Sequence, residues 1–326
     1  MTKKVLLLGL GGTIAGTSRV AGDDLSYQAA QRGVASLLQG VTGLTQVLGA
    51  CQCESEQLAQ LDSKDMGFAV WNTLLERLNA ALRDPHIVGV VITHGTDTLE
   101  ETAYCLHACL SEALTQDKPV VLTCAMRPAD ALQADGPQNL KDALALACGG
   151  HAHGVVVLCA GQVHGAVEVQ KVHPYRLDAF SSGDAGPIAY LEGAHLRQLR
   201  AWPRSGQWPH FFGSERSASA PVAPAAWPWV EIVHSTAGAN GHLVPLLVQA
   251  GVRGLVVNGT GNGSVHQDLL HALLHAQAAG VPVVRASRCA QGVVLPHRGD
   301  CLPDSQGLSA VKARIALMLS LQQAQA

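Results

Sequence analysis

Two threonines stand in glycine-rich turns, each close behind a run of apolar residues. The first lies in Gly11-Gly12-Thr13-Ile14-Ala15-Gly16 after Val5-Leu6-Leu7-Leu8. The second lies in Thr93-His94-Gly95-Thr96-Asp97-Thr98-Leu99-Glu100-Glu101-Thr102 after Val88-Gly89-Val90-Val91-Ile92. Runs of this kind read as strands of a parallel sheet buried on both faces. Ligands of open α/β sheets bind beyond the carboxyl ends of the strands, so the two hydroxyls are placed to face one substrate. That suits nucleophilic chemistry. A threonine hydroxyl is a weak nucleophile at neutral pH and needs a base beside it. Asp97 adjoins Thr96, and Lys171, a loop's length beyond the apolar run 154–160, is a candidate because burial can hold a lysine neutral. Taken singly, each threonine fits an ordinary turn or cap and Lys171 an ordinary surface lysine; the paired placement of the threonines sets chemistry level with that reading.

Other chemistries lack a residue they need. Gly9-Leu10-Gly11 opens like a dinucleotide fingerprint, but Ile14 stands where its third glycine belongs. His271 and His275 are one helical turn apart without the glutamate of a zinc-protease helix, residue 272 being alanine, and His151 and His153 lack a third ligand. The Gly-x-Ser-x-Gly elbow of serine hydrolases is absent. No metal or cofactor is expected.

The elements that must position the threonines follow from periodicity. Strands are expected over 5–10, 87–93, 119–124, 154–160, 230–233, 254–258 and 281–286. Helices are expected over 67–83, 98–115, 138–149, 242–250, 264–279 and 307–322, with Thr98 and Ser264 as N-caps. The alternation predicts an α/β fold, an N-terminal open parallel-rich sheet domain with a smaller C-terminal α/β domain. Trp202-Pro203, Trp208-Pro209, a Ser/Ala/Pro stretch and Trp227-Pro228 break the pattern. The domains are therefore expected at 1–200 and 229–326, joined by a connection over 201–228.

Composition narrows the partners. The chain has 326 residues, of which 48% are apolar, enough for a full core, and only 14% are charged, with a formal net charge of -3. No Lys/Arg cluster offers a nucleic-acid footprint. No apolar run reaches the roughly 20 residues of a membrane span. The start superficially resembles a secretory leader, but cleavage would remove Thr13 and the first strand, so a cytoplasmic location is expected. Nine cysteines without Cys-x-x-Cys spacing read as reduced core thiols.

The two threonine motifs resemble the signatures of the bacterial-type L-asparaginase family, and the likeness runs along nearly the whole chain. Supporting matches are Ser63-Lys64-Asp65-Met66, Ala125-Met126-Arg127-Pro128, Ala134-Asp135-Gly136-Pro137, Gly259-Thr260-Gly261-Asn262-Gly263 and Val284-Arg285-Ala286-Ser287-Arg288. The resemblance implies hydrolysis of L-asparagine to L-aspartate and ammonia through a threonine acyl-enzyme, without a cofactor. It makes Thr13 the nucleophile, Tyr27 its activating partner on a mobile loop, and Thr96, Asp97 and Lys171 a second catalytic set. Asp62, Ser63, Lys64, Gly95, Ala125 and Asn262 become substrate-binding positions, with Ser63 on the α-carboxylate and Asp97 on the α-ammonium. Backbone N–H groups near Thr96 and Ala125 would stabilise the oxyanion. The family also implies a homo-oligomer, dimer or tetramer, with shared sites. Broader glutaminase/asparaginase specificity and a weakly active amino-acid-binding relative are the alternatives.

Three departures stand out. Lys64 replaces the Gln or Glu of many relatives, offering donors but no acceptor to an ammonium, so repulsion is expected. Val167-Glu168-Val169-Gln170-Lys171-Val172 lacks the arginine and the following threonine of the usual motif. Residues 293–304 lack a glutamate that several relatives send into the neighbouring site, leaving Asp300 and Asp304.

Overall fold

The computed structural model describes residues 2–20, 26–193, 195–209, 211 and 226–323. Contacts divide the chain into two compact units, Met1–Gly206 and Gln207–Ala326. Of the expected connection, residues 210 and 212–225 lie outside the described residues. Its beginning is packed rather than extended: Trp202 lies on the first core, and the Gly206 N–H donates to the His107 carbonyl at 2.6 Å.

In the first unit the strands are β1 (Lys4–Gly11), β2 (Thr17–Ser18), β3 (Tyr27–Gln28), β4 (Gln52–Leu61), β5 (Ile87–Thr93), β6 (Val120–Thr123), β7 (Val155–Cys159), β8 (Gln162–Gly165), β9 (Gln170–Lys171), β10 (Phe180–Ser181), β11 (Ala189–Glu192) and β12 (His195–Gln198). Its helices are α1 (Val34–Gln39), α2 (Leu44–Leu48), α3 (Phe68–Arg83), α4 (Leu99–Cys109), α5 (Glu112–Thr115) and α6 (Gly136–Cys148). Eight strands form one sheet in the order β12-β11-β8-β7-β6-β5-β1-β4. It is parallel from β4 to β7 and antiparallel from β7 to β12.

The central strands are continuous apolar runs because helices cover both faces. Along α3, Trp71, Leu74, Leu75, Leu78 and Leu82 recur at helical spacing and are buried. Pro137 occupies the first turn of α6, where its missing N–H costs no hydrogen bond. Leu140, Ala143, Leu144 and Ala147 then face the sheet. Gly89 is a glycine inside a strand because α6 passes so close: a Cβ there would stand 2.7 Å from the Ala147 carbonyl oxygen.

The second unit has a parallel sheet in the order β13 (Val230–His234), β14 (Gly254–Gly259), β15 (Val283–Ser287), with α7 (Leu243–Gln249), α8 (Gln267–Ala278) and α9 (Ala310–Gln323). Its own core includes Val233, Leu255, Val257, Leu269, Leu273 and Val283.

Some details depart from the periodicity. The helix expected over 98–115 is two, because Leu110 turns extended at φ −86°, ψ 137° and Ser111 starts a new turn. Helix α8 is capped by His266, whose ring nitrogen accepts the Asp268 N–H at 3.3 Å, and not by Ser264. Strand β4 was not expected because its polar, largely exposed sequence carries no apolar run. The hairpins after β7 escaped because their strands, two to four residues long, are too short to show a periodic pattern. Among the described residues, no helix is long and apolar enough to cross a membrane.

Candidate active site

Four neighbouring parallel strands deliver their following residues to one edge of the sheet. Strand β4 leads into Ser63, β1 into Thr13, β5 into Thr96 and β6 into Ala125, in the spatial order β6-β5-β1-β4. The turns after β1 and β5 meet backbone to backbone. A Cβ on Gly12, whose φ is 78°, would stand 2.3 Å from the Gly95 Cα, and one on Gly95 would stand 2.4 Å from the Ser63 Oγ. Only glycine fits at these two positions, and their closeness brings the two threonine turns together.

Thr13 sits in a single 3-10 turn over Thr13–Ala15, 5% exposed. Its Oγ1 lies 2.8 Å from the Tyr27 hydroxyl, with either atom able to donate. Tyr27 stands on β3, paired antiparallel with β2. Asp130 holds that hairpin: its carboxylate accepts the Ser18 N–H at 2.9 and 3.1 Å, which keeps the carboxyl below its ordinary range. Of the loop expected to be mobile, residues 21–25 lie outside the described residues.

Thr96 is 6% exposed and has a cation for a partner. The Lys171 Nζ donates to Thr96 Oγ1 at 2.8 Å and to Asp97 Oδ1 at 2.7 Å, so hydroxyl, ammonium and carboxylate form one set. Lys171 reaches it from the β9–β10 hairpin, opposite Phe180. Ser63 belongs to the same group: its Oγ accepts the Asp97 N–H at 3.1 Å, and its carbonyl accepts the Thr98 hydroxyl at 2.7 Å. Thr98 therefore begins α4 while spending its hydroxyl on Ser63 rather than on the helix.

Behind Thr96 lies a buried relay that the sequence reading missed. Trp71 Nε1–H donates to Thr102 Oγ1 at 2.9 Å, the Thr102 hydroxyl lies 2.9 Å from His94 Nε2, and His94 Nδ1 lies 2.6 Å from the Gly95 carbonyl. A carbonyl only accepts, so His94 carries its proton on Nδ1 and accepts a hydrogen bond from the Thr102 hydroxyl at Nε2. Burial pushes the His94 pKa down to about 4, so the ring is neutral and fixes the Gly95 peptide. The eight-residue spacing of His94 and Thr102 gave no signal, since the contact is made by a strand end folding onto the next helix. Asp135 was missed likewise; its carboxylate accepts the Met126 and Arg127 N–H groups and shapes the loop after Ala125.

Asp62, Ser63 and Lys64 fall together on the turn after β4. Lys64, expected to repel an ammonium, is itself paired: its Nζ lies 2.6 Å from Asp65 Oδ2 and 3.2 Å from Asp62 Oδ2. Asp65 and then Asp62 raise its pKa, so one cation is balanced by two carboxylates. Gly95 and Ala125 are buried at the same edge.

Asn262 lies in the second unit, in the turn after β14. Its carboxamide donates to the Leu295 carbonyl at 2.8 Å and accepts the Leu295 N–H at 2.7 Å. Asp300 is taken up by Arg285 at 2.7 Å and His297 at 3.0 Å, and Asp304 caps Gln306 at 2.7 Å. Both carboxylates named as stand-ins for the missing glutamate thus have partners within their own unit. Among the described residues no three His, Cys, Asp or Glu side chains gather to hold a metal ion.

Fold and site define a two-unit α/β hydrolase with hydroxyl, phenol, ammonium and carboxylate groups on one sheet edge. The chain belongs to the asparaginase family, hydrolases of linear amides: residues 4–204 match the family's N-terminal domain and residues 229–326 the glutaminase/asparaginase C-terminal domain. It is 31% identical to L-asparaginase 2 of Bacillus subtilis (strain 168), covering 97% of this chain and 82% of that protein. It is 34% identical to the glutaminase-asparaginase of Pseudomonas fluorescens biotype A, covering 98% and 87%. The crystal structure of a probable cytoplasmic L-asparaginase from Campylobacter jejuni matches with a TM-score of 0.88 at 32% identity, over 98% of this chain and 95% of that one.

Proposed function

We propose that this chain hydrolyses L-asparagine to L-aspartate and ammonia, with Thr13 as the nucleophile. The observation that carries this reading is the close approach of Gly12 and Gly95, which sets Thr13–Tyr27 beside Thr96–Lys171–Asp97. In the first step the Thr13 Oγ bonds to the side-chain amide carbon as its proton passes to a base, Tyr27 being the adjacent relay. The C–N bond then breaks and ammonia leaves with an added proton, giving an ester on Thr13. Water attacks that ester, and aspartate departs as Thr13 regains its proton. Lys171 donates to both Thr96 and Asp97, so it acts as a base only after giving up a proton; in that form it can draw one from Thr96 or from water. Ser63 and the half-exposed Asp97 take the substrate α-carboxylate and α-ammonium, the second a charge-assisted pairing. Backbone N–H groups near Thr96 and Ala125 supply the oxyanion site.

The active unit is a symmetric homo-oligomer with shared sites, in which Asn262 of one copy completes the site of another. The cytoplasm is the proposed compartment. Nine free thiols fit a reducing environment, and the Campylobacter jejuni structure carries a cytoplasmic name, although a similar protein of Haemophilus influenzae is named a probable periplasmic L-asparaginase.

Ammonia release from asparagine and glutamine, measured side by side at neutral pH, tests the substrate. The two amides differ by one methylene, a difference worth about 10–200-fold to a fitted pocket. With Asp300 and Asp304 engaged elsewhere, glutamine is expected at least about tenfold lower in kcat/KM. Equal specificity constants would replace this reading with a glutaminase-asparaginase, and no release from either would leave a binding protein.

A further inference from the structure

Lys171 is carried by a hairpin outside the eight-stranded sheet. Strands β9 and β10 form a sheet of their own with two residues in each strand, too few ladder bonds to fix a side chain unaided. The base of the hairpin is held from the large sheet: His164 Nδ1 on β8 lies 2.9 Å from the Ser182 Oγ just beyond β10, and both residues are buried. The tip has little apolar footing. Val172, Tyr175 and Leu177 are all exposed there. The His173 ring gives the tip its shape, Nδ1 accepting the Tyr175 and Arg176 N–H groups at 3.0 Å each.

Arg127, from the loop after β6, takes hold of that tip. Its guanidinium carbon lies 3.8 Å from the centre of the Tyr175 ring, while its Nη1 donates to the Tyr175 carbonyl at 2.8 Å. One side chain thus grips both the ring and the backbone of one residue. Arg127 is itself firmly seated. Its N–H donates to Asp135 Oδ1 at 2.9 Å, and the Asn139 carboxamide donates to Asp135 Oδ2 at 3.2 Å and to the Cys124 carbonyl at 3.0 Å. The same carboxamide accepts the Ala160 N–H at 2.9 Å, so the network joins the start of α6 to the ends of β6 and β7.

We propose that Arg127 and Tyr175 form a clasp that positions Lys171 for turnover, by tying the tip of its hairpin to the loop that carries Ala125. The inference rests on the role given above to Lys171 in amide hydrolysis. Both are positioning residues, acting through Lys171. The Lys171 Nζ must meet two oxygens on another turn, Thr96 Oγ1 at 2.8 Å and Asp97 Oδ1 at 2.7 Å. A shift of about 1 Å in the hairpin takes it out of hydrogen-bond range of both, and misplacement on that scale costs up to about a hundredfold in rate. The clasp also calls for arginine. A planar guanidinium stacks on a ring while donating in its own plane, which an ammonium does not do.

The test measures kcat and KM for asparagine, Tm, and hydrogen–deuterium exchange over residues 170–182 in the full chain. Tyr175→Phe, the conservative variant that keeps the ring, is expected to retain the wild-type kcat. Tyr175→Ala and Arg127→Lys are each expected to lower kcat by about tenfold with KM changed by less than about twofold and little change in Tm. Both should speed exchange of the Val172 and His173 N–H groups, which donate to the Ala179 carbonyl. The double variant is expected to be no slower than the slower single, because the two residues act as one unit. In Lys171→Met, neither substitution should lower the remaining rate further. Wild-type kcat in Tyr175→Ala while Lys171→Met is inactive overturns the clasp alone, as do losses that multiply in the double variant or persist in the Lys171→Met background. Normal turnover in Lys171→Met marks instead the failure of the catalytic reading on which the clasp rests.

Discussion

Thr13 meets the phenol of Tyr27 at 2.8 Å, a residue 14 positions on, whereas Thr96 meets the ammonium of Lys171 at 2.8 Å across 75 positions. The first contact joins two neutral hydroxyls, either of which can give the proton. The second places a cation on the hydroxyl oxygen and balances it with Asp97. Their surroundings differ too. The Thr13 turn is held from outside, by a two-residue hairpin anchored on Asp130, and the Thr96 turn from inside, by the Trp71–Thr102–His94 relay. Two similar sequence motifs thus sit in unlike surroundings. The Thr13 hydroxyl faces a phenol that can donate or accept, while the Thr96 hydroxyl oxygen accepts a hydrogen bond from the Lys171 Nζ.

The largest expected effect breaks either half of that comparison. Thr13→Val and Thr96→Val should each lower kcat by at least about a hundredfold with little change in Tm, because each 1.4 kcal/mol of lost transition-state stabilisation costs about tenfold. Near-wild-type turnover in one variant removes its threonine from the chemistry. Lys171→Met should lose activity on the same scale, and Lys171→Arg separates charge from proton transfer: arginine keeps the cation beside Asp97 but gives up no proton near neutrality. Arginine restoring full turnover would make Lys171 a positioning cation only.

A further effect tests the inner support by pH. His94 has a folded pKa of about 4 against an ordinary value of 6.5. The unfolded chain therefore binds a proton that the native chain refuses between those values. Stability should be fully present above about pH 6.5 and fall by about 3 kcal/mol as pH drops toward 4. Asp142, which burial raises to about 6, works the other way, since its native form binds the proton first. Asp142→Asn should accordingly steepen the decline. Chemical denaturation at pH 7, 5.5 and 4.5 measures both, and a flat profile in Asp142→Asn would remove His94 as the titrating support of the Thr96 turn.

Smallest of all is Lys64→Gln. Because Asp65 and Asp62 already pair its ammonium, the KM for asparagine should change by less than about threefold, exposed ion pairs being weak. A tenfold fall in KM would show that Lys64 does repel the substrate ammonium.

Most of the central fold was legible because its signal is local. Strand β5 appears at 87–93 as read, and β1, β7 and α3 lie within a residue or two of their expected bounds, since a continuous apolar run and a 3.6-residue stripe are properties of neighbouring residues. Strand β4 was not legible, being an edge strand whose polar side chains face solvent and whose partner β1 lies about fifty residues back. The same contrast holds at the site. Residue type and turn context pointed to Thr13, Thr96 and Asp97 and offered Lys171 as a candidate, and resemblance supplied Tyr27 and Ser63. The sequence by itself determined which hydroxyls end which strands. Only the tertiary structure decided that Gly12 and Gly95 touch, that Lys171 donates to both Thr96 and Asp97, and that His94 is a buried neutral relay. Each of those contacts joins separate strands, turns or hairpins, and burial and hydrogen-bond geometry come into being only when such elements are packed.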